Sequence, residues 1–482
     1  MIKVSDLIST LDPLETKGRL DSFVESLHYD SRQIGPHDGF IALRGFTTDG
    51  HRFIPQLYQK GCRVFFVEEP LDLADAVVVR LKNTREGMAR LAANLYGHAA
   101  SQLQIVGITG TNGKTTTAFI LYSILREAHW KPGLITTVEY RAGRTPVNAT
   151  RTTPESLDLH RMFHEMRKSG LKSVVMEVSS HALALHRVLG IPFRVAVFTN
   201  LGIDHLDFHQ TQEKYLAAKR TLFAGLSENA NAIVNADDPS AKLMIKNCPA
   251  NIFRYSMHPT NCEVFVENMF SFPGGARIAV HTPVGRLEVN ASLPGKHNVY
   301  NLLAAITAAV SLGIQTEFIE RGIAGMDNVP GRCEQFKLPS GAFVYVDYAH
   351  TPGALQNISE ALLESAPRRL IIVFGCGGNR DRSKRPMMGK IAEDYGDVVI
   401  LTNDNPRREE PQDIVNEILE GIYDRKKVRI ILDRKEAILT ALEMAAKNDI
   451  VLIAGKGHET YQEFADRRVH FDDREIVRQF IH

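Results

Sequence analysis

The chain has 482 residues, 44% hydrophobic and 23% charged, with a formal net charge of +1. That balance is typical of a folded protein with ample core, and it gives no reason to expect a nucleic-acid or membrane-surface partner. Five cysteines without a CxxC pair argue against a disulfide framework or zinc cluster and suit a reducing cytoplasm. At roughly 150 residues per domain, about three domains fit. The segment Met1 to Leu11 lacks the basic flank and apolar core of a signal peptide, and no apolar run is long enough to cross a bilayer.

In chain order, the first hundred residues alternate short strands (Gly39 to Leu43, Val64 to Val67) with helices (Arg52 to Lys60, Arg85 to Tyr96). The polar stretch Gly97 to Gln102 reads as a linker. An apolar strand, Leu103 to Ile108, then leads into Gly110-Thr111-Asn112-Gly113-Lys114-Thr115-Thr116 and a helix from Thr117 to Ala128. Strand, glycine loop, Lys-Thr and helix form the layout of a phosphate-binding loop. Backbone N–H groups and the helix N-terminus face anionic oxygens there. Lys114 would reach the outer phosphates and the Thr115 hydroxyl would ligate Mg²⁺. Ile108 replaces the first glycine of the strict motif.

Further strands, Ser173 to Met176, Val195 to Thr199 and Ala232 to Asn235, predict a buried parallel sheet. Glu177, at the end of one of them, suits a second Mg²⁺ anchor. Asp204-His205-Leu206-Asp207-Phe208-His209 follows another. His205 and His209 are spaced as zinc ligands on a helix would be, but a Mg²⁺, phosphate or structural role fits better without HExxH or a nearby cysteine. Tyr215 to Phe223 reads as an amphipathic helix on which Lys219 is, by pattern, a solvated lysine. Phe253 to Val289 reads as a more polar, β-like insert. His297 and Asn301, at a helix start before Leu302 to Leu312, are either caps or purine and ribose contacts.

After the turn-rich boundary 328–332 the alternation restarts, with strands at Phe343 to Val346, Leu370 to Phe374, Val398 to Thr402, Val428 to Leu432 and Ile450 to Ile453. Helices between them predict a doubly wound sheet whose ligands sit beyond the carboxyl ends of its strands. Those ends carry Asp347 to His350, Gly375 to Arg382, Asn403 to Arg407 and Gly455 to Glu459. In Asp404-Asn405-Pro406-Arg407 the proline sets the turn that presents Arg407. Arg407 and Arg380 are two guanidinium forks suited to a carboxylate.

Taken together these segments resemble the Mur ligases, the ATP-dependent amide-forming enzymes of peptidoglycan synthesis. The resemblance covers nearly the whole chain. It rests on Gly110 to Thr116, Met176 to His181, Asn200 with Asp204 to His209, Tyr215 to Phe223, His297 to Asn301, Gly331-Arg332 and Asp347 to Pro352. It implies three α/β domains: a uridine-nucleotide domain over 1–98, a parallel-sheet P-loop ATPase domain over 99–330 and a Rossmann-like amino-acid domain over 331–482. Their closure would bring the amine site to the phosphate site.

The resemblance also implies roles residue by residue. Lys114, Lys219 and His205 are expected to be catalytic. Lys219 would be carbamylated and would hold one of two Mg²⁺ ions, with Thr115, Glu177 and His205 as the other ligands. ATP would meet Gly110 to Thr116, His297, Asn301, Arg332 and Asp347. A UDP-muramoyl-dipeptide would meet Tyr29, Ser31, Phe46, Thr47 and Thr48, then Arg151, Thr152, Thr153, Ser179, Leu185 and Arg187. Arg151 and Leu185 depart from the residues common at their positions, asparagine and glutamine. The Asp404 to Arg407 motif matches the branch that adds meso-diaminopimelate, held by Arg380, Asp404, Asn405, Pro406, Arg407, Gly455 and Glu459. The implied partners are these small molecules, with no nucleic acid and no membrane span, and the chain acts as a monomer. The alternatives are a lysine-adding ligase, a folylpolyglutamate-type ligase, or a P-loop switch without chemistry.

Overall fold

The computed structural model describes residues 1–481 apart from 46, 47, 144, 260, 273, 274, 327, 328 and 330–332. Phe46, Thr47, Gly331 and Arg332 therefore lie outside the described residues, as does most of the 328–332 boundary. The chain divides into two compact units, Met1–Arg254 and Tyr255–His482.

Besides a small two-stranded ribbon, Ile2–Lys3 with Phe23–Val24, the first unit holds two larger sheets. In the smaller of these two, strands Leu27–His28, Gly39–Ile41, Val64–Val67 and Val77–Arg80 run parallel in that order, and Glu15–Lys17 closes the edge antiparallel. Short β-branched and aromatic strands buried on both faces explain the parallel arrangement. The helix Thr84–Leu95 is capped by Asn83, whose side chain accepts from the Arg85 and Glu86 N–H groups.

The larger sheet has a parallel core in the order Pro132–Ile135, Ser173–Glu177, Gln104–Thr109, Phe193–Phe198 and Asn231–Asn235. Chain connections leave in opposite directions from the neighbouring strands Gln104–Thr109 and Phe193–Phe198. That reversal opens a crevice at their carboxyl ends, where ligands of such sheets bind. The glycine loop lies there and runs into the helix Lys114–Glu127.

Two sequence expectations change here. Gly97 to Gln102 is no free linker: Ala99–Gln102 form a short 3₁₀ turn whose alanines are buried in the core with Met162 and Phe163. Two small apolar side chains were enough to seat the turn. The helix expected over Arg52 to Lys60 opens earlier as a 3₁₀ turn, Gly50–Phe53, and becomes α-helical over Ile54–Gln59.

The second unit begins with the last residues of the strand Asn251–Ser256, which pair with Val264–Phe272. Val264–Phe272, Gly275–Thr282 and Gly285–Ala291 follow as an antiparallel meander. This region is β-structured as expected, but it is not polar throughout. Val264, Val266, Ile278, Val280, Leu287 and Val289 alternate onto one buried face. The helix expected from Leu302 starts at Lys296 and ends at Ser311.

The six-stranded sheet of this unit runs Glu334–Lys337, Phe343–Asp347, Ile450–Ala454, Leu370–Phe374, Val398–Leu401 and Val428–Ile430, parallel except at the first edge. Helices Pro352–Leu363, Lys384–Tyr395 and Pro411–Leu419 pack into one apolar cluster of this sheet, and Arg434–Met444 and Asp473–Ile481 into another. The carboxyl ends of its strands carry the polar loops singled out from the sequence.

Candidate active site

In the first unit the phosphate loop is strapped to the next strand end. The Thr111 N–H donates to the Asn200 carbonyl at 2.9 Å, the Asn112 N–H to Asn200 Oδ1 at 3.0 Å, and Thr199 Oγ1 to the Asn112 carbonyl at 2.6 Å. Gly110 has φ +152° and packs so closely on Thr199 that a side chain there would collide with its hydroxyl. Lys114 is the first residue of its helix. Its ammonium folds over the loop, donating to the Gly110 and Thr111 carbonyls at 3.0 and 2.8 Å.

Glu177 is fully buried at its strand end. Thr115 Oγ1 donates to Glu177 Oε1 at 2.8 Å, and the Thr137 N–H donates to the same oxygen at 2.9 Å. A threonine hydroxyl beside a carboxylate, in a loop open to phosphate oxygens, is the hard-oxygen donor set that Mg²⁺ takes together with substrate phosphates and water. The residues present therefore fit that ion. Among the described residues no three His, Cys, Asp or Glu side chains gather tightly enough to hold a metal by themselves.

Lys219 overturns the reading taken from its pattern. The helix Gln212–Ala224 buries Tyr215, Lys219, Leu222 and Phe223, so the lysine lies on the inner face at 1% exposure. Its ammonium donates to the Gly110 carbonyl at 2.8 Å, the oxygen that Lys114 also uses, and lies 4.5 Å from the Tyr215 ring centre. Burial, reinforced by the Lys114 cation and opposed by Asp204, pushes its pKa well below the ordinary lysine value.

His205 does not share a helix face with His209. It sits at φ +53° as the residue before the short helix Leu206–His209, half-exposed, 3.4 Å from Asp204. Its ring lies 4.7 Å from that of His181, and the His209 ring 5.6 Å from that of His181. This cluster opens beside Lys219, because the Tyr215 ring contacts both His205 and His209.

The proposed dipeptide residues converge as a group. The Thr152 and Thr153 loop lies against Glu177: Thr137 Oγ1 donates to Thr152 Oγ1 at 3.0 Å, and Thr153 Oγ1 donates to the Glu177 carbonyl at 2.9 Å. The Ser179 N–H donates to Thr153 Oγ1 at 3.1 Å, and Arg187 Nη1 to the Thr153 carbonyl at 3.0 Å. Arg151 and Arg187 both reach Glu155 Oε1, at 2.8 and 2.9 Å. Leu185 is half-buried at the end of the short helix Ser180–Ala184.

Tyr29 and Ser31 form a turn after the strand Leu27–His28, with Tyr29 OH donating to Asp158 at 2.7 Å. Thr48 is exposed in the loop after the neighbouring strand Gly39–Ile41, its carbonyl accepting from the Gly45 N–H at 3.0 Å. Glu155 itself, a buried carboxylate that also meets Arg85 at 3.5 Å, was missed in the sequence. Its partners lie up to 70 residues away, and no local spacing reports that.

In the second unit Asp347 ends its strand and accepts the Cys333 N–H at 2.8 Å. His297 is exposed, in the first turns of its helix. Asn301 is buried and donates to Asn298 Oδ1 at 3.0 Å, so it braces the helix start.

The amino-acid loops interlock. Asn405 Oδ1 accepts from the Glu463 N–H at 2.9 Å and from Lys456 Nζ at 3.2 Å, which turns its Nδ2 toward Glu459 Oε2 at 3.0 Å. Lys456 also donates to Glu459 Oε2, at 3.1 Å. Gly455 has φ +114°, and a side chain there would lie 2.7 Å from an Asp404 carboxylate oxygen. Arg407, after Pro406, is held at φ +53°, an uncommon conformation for a non-glycine residue and one that clusters at functional sites. Its Nε donates to Glu463 at 2.8 Å and its Nη1 to the Gly378 carbonyl at 2.8 Å. Its Nη2 has no partner among the described residues. Arg380 is exposed in the adjoining loop, without a hydrogen bond or ion pair among the described residues. Lys456, fully buried between two glycines, is a second residue that the sequence reading passed over. A lysine beside glycine at a strand end, as at Gly113-Lys114, was the available signal.

A glycine loop at a sheet's switch point, and a second sheet whose strand ends offer guanidinium and carboxylate groups, define a nucleotide-dependent α/β enzyme. The chain belongs to the Mur ligase family, three-domain α/β enzymes that use ATP to form an amide bond. It matches the Mur ligase family catalytic domain over residues 24–96, the Mur ligase middle domain over 108–309 and the Mur ligase glutamate ligase domain over 331–457. A relative from Clostridium tetani, named UDP-N-acetylmuramoyl-L-alanyl-D-glutamate--2,6-diaminopimelate ligase, is 40% identical, covering 100% of this chain and 99% of its own. The Clostridium perfringens protein of that name is 41% identical over 98% of both. A solved structure with that ligase name superposes with TM-score 0.74 and 31% identity, covering 100% of this chain and 98% of its own. Folylpolyglutamate synthase from Mycobacterium tuberculosis, at 18% identity, TM-score 0.61 and 77% of this chain against 92% of its own, shares the fold alone.

Proposed function

We propose that the protein joins meso-diaminopimelate to UDP-N-acetylmuramoyl-L-alanyl-D-glutamate, using ATP, as a step in building peptidoglycan precursors. The observation that carries the choice of amine is Arg407, presented after Pro406 with Nη2 open beside the unpartnered Arg380. These two cations suit the second carboxylate that diaminopimelate has and lysine lacks. The full-length relatives named for that amine support the same choice. Glu459, with one oxygen taken up by Asn405 and Lys456, offers its other oxygen to an ammonium group of the substrate.

The glutamyl carboxylate attacks the γ-phosphate of ATP and forms an acyl phosphate. The diaminopimelate amine then attacks the acyl carbon, and phosphate departs from the tetrahedral intermediate. In the first step two anions approach each other. At about 4 Å and an effective dielectric of about 20, unit charges repel by roughly 4 kcal/mol. Lys114 and the loop N–H groups offset this, with Thr153, Ser179 and Arg187 holding the dipeptide. Thr115 and Glu177, with His205 and a carbamylated Lys219, would hold two Mg²⁺ ions, which supply charge neutralisation to the phosphates when bound. His297, Asn301, Arg332 and Asp347 would complete the ATP site, and Tyr29, Ser31 and the 46–48 loop the uridine site. On this reading the domains span 1–98, 99–330 and 331–482. No disulfide joins the five cysteines, which suits a cytoplasmic enzyme, and no described helix is long and apolar enough to cross a membrane. The chain is read as a monomer.

Arg407→Ala tests the choice of amine. Truncating one partner of a buried charge pair costs about 2–5 kcal/mol, so use of diaminopimelate should fall roughly 30-fold to several thousand-fold. Glu463 keeps Arg468, 2.8 Å away, so the loop retains an ion pair. Lysine never makes the lost contact, and its poor use should change little. The readout is the ratio of kcat/KM for the two amines in both proteins. An unchanged ratio refutes the role of Arg407.

A further inference from the structure

Beneath the amino-acid loops lies an ion pair with no part in the mechanism above. Arg434 is 1% exposed and Asp473 0%, though guanidinium and carboxylate groups are rarely buried completely. Arg434 is the first residue of the helix Arg434–Met444, and Asp473 the first of the C-terminal helix Asp473–Ile481. The pair is a bidentate fork: Nε reaches Asp473 Oδ1 and Nη2 reaches Oδ2, each at 2.8 Å. Two further N–H groups go to backbone carbonyls, Nη1 to Asn403 at 3.2 Å and Nη2 to Ala454 at 3.0 Å.

Those two carbonyls are the last residues before Asp404 and Gly455, where the two halves of the amino-acid site begin. The strands that deliver them, Val398–Leu401 and Ile450–Ala454, are not neighbours: Leu370–Phe374 lies between them. No ladder of hydrogen bonds therefore sets the spacing of the two loops. Side chains tie the loops to each other, Asn405 to Glu459 and Lys456 to Asn405, and Arg434 ties the backbone at the base of both; the Asp404 and Glu459 carboxylates act on its charge together with Asp473. A buried pair of this kind contributes little net stability over an apolar pair of equal volume. Its planar fork instead fixes geometry, which a lysine cannot reproduce.

We propose that Arg434, aimed by Asp473, is a positioning residue that sets the separation of the Asp404–Arg407 and Gly455–Glu459 loops and thereby the affinity for the amino-acid substrate. This rests on the reading of those loops as the diaminopimelate site. Displacing a substrate-positioning group by about 1 Å can cost about 100-fold.

The test uses the full-length enzyme with Arg434→Lys and with the double variant Arg434→Met/Asp473→Leu, which replaces the pair by apolar side chains. Thermal unfolding is measured alongside KM for each of the three substrates. Both variants should raise KM for diaminopimelate by about 10- to 100-fold. KM for ATP and for the UDP-dipeptide should stay within about twofold, and the double variant should unfold near the wild-type temperature. A folded double variant with wild-type KM for diaminopimelate overturns the proposal, as does an equal rise in all three KM values. If the wild-type enzyme itself shows no use of diaminopimelate, the reading of the site fails instead.

Discussion

Lys114→Ala is expected to cut amide formation by about 100- to 1000-fold, the loss typical when one preorganised donor to a developing anion is removed. The fold should survive. The Lys114 side chain donates to the loop carbonyls of Gly110 and Thr111, at 3.0 and 2.8 Å, and is not part of the apolar core. A cation at a helix N-terminus is also set against the helix dipole, and alanine is the better helix former. Unfolding temperature and kcat are the two measurements. A well-folded Lys114→Ala protein with near-normal turnover would refute the phosphate-loop assignment.

Lys219→Ala should be about as damaging, for a different reason. In its unmodified form Lys219 is a buried amine sharing the Gly110 carbonyl with Lys114, with Asp204 as the carboxylate that opposes their repulsion. The depressed pKa keeps more of the amine neutral than in free lysine, and a neutral amine is what carbon dioxide adds to. Carbamylation replaces a cation facing a cation by an anion that can serve Mg²⁺. On the proposed reading Lys219→Ala would remove a ligand, and activity should fall by roughly two orders of magnitude or more. Lys219→Arg should not restore it, since arginine keeps the charge and cannot form the carbamate. Labelled bicarbonate should give a carbamate signal in the wild type that both variants lose. Fully active enzyme with an unmodified Lys219 would contradict this account.

The contrast between these two lysines shows what was legible in the sequence. Lys114 is announced by its immediate neighbours, because a phosphate loop is built from consecutive residues whose backbone does the work. Lys219 sits in a helix whose neighbouring polar residues suggest solvent, and only the surrounding fold reveals that it points inward. The resemblance to a family assigned it a role that its own pattern did not. Several strand positions were legible where apolar runs were bounded by glycine or polar turns, as at Leu370–Phe374, but the strands Val77–Arg80 and Pro132–Ile135 were passed over. The packed turn Ala99–Gln102 was not, since burial of two alanines depends on a distant helix. Glu155 and Arg434 were missed for the same reason. Each gathers groups that the chain brings together from far apart, and a charged residue's sequence neighbours do not record that.

The central claim is the identity of the joined amine. The most direct measurement is phosphate release from ATP with UDP-N-acetylmuramoyl-L-alanyl-D-glutamate present, comparing meso-diaminopimelate, L-lysine and no amine. The account predicts release that depends on diaminopimelate, with lysine far behind. Equal release with lysine, or release indifferent to any amine, would contradict it.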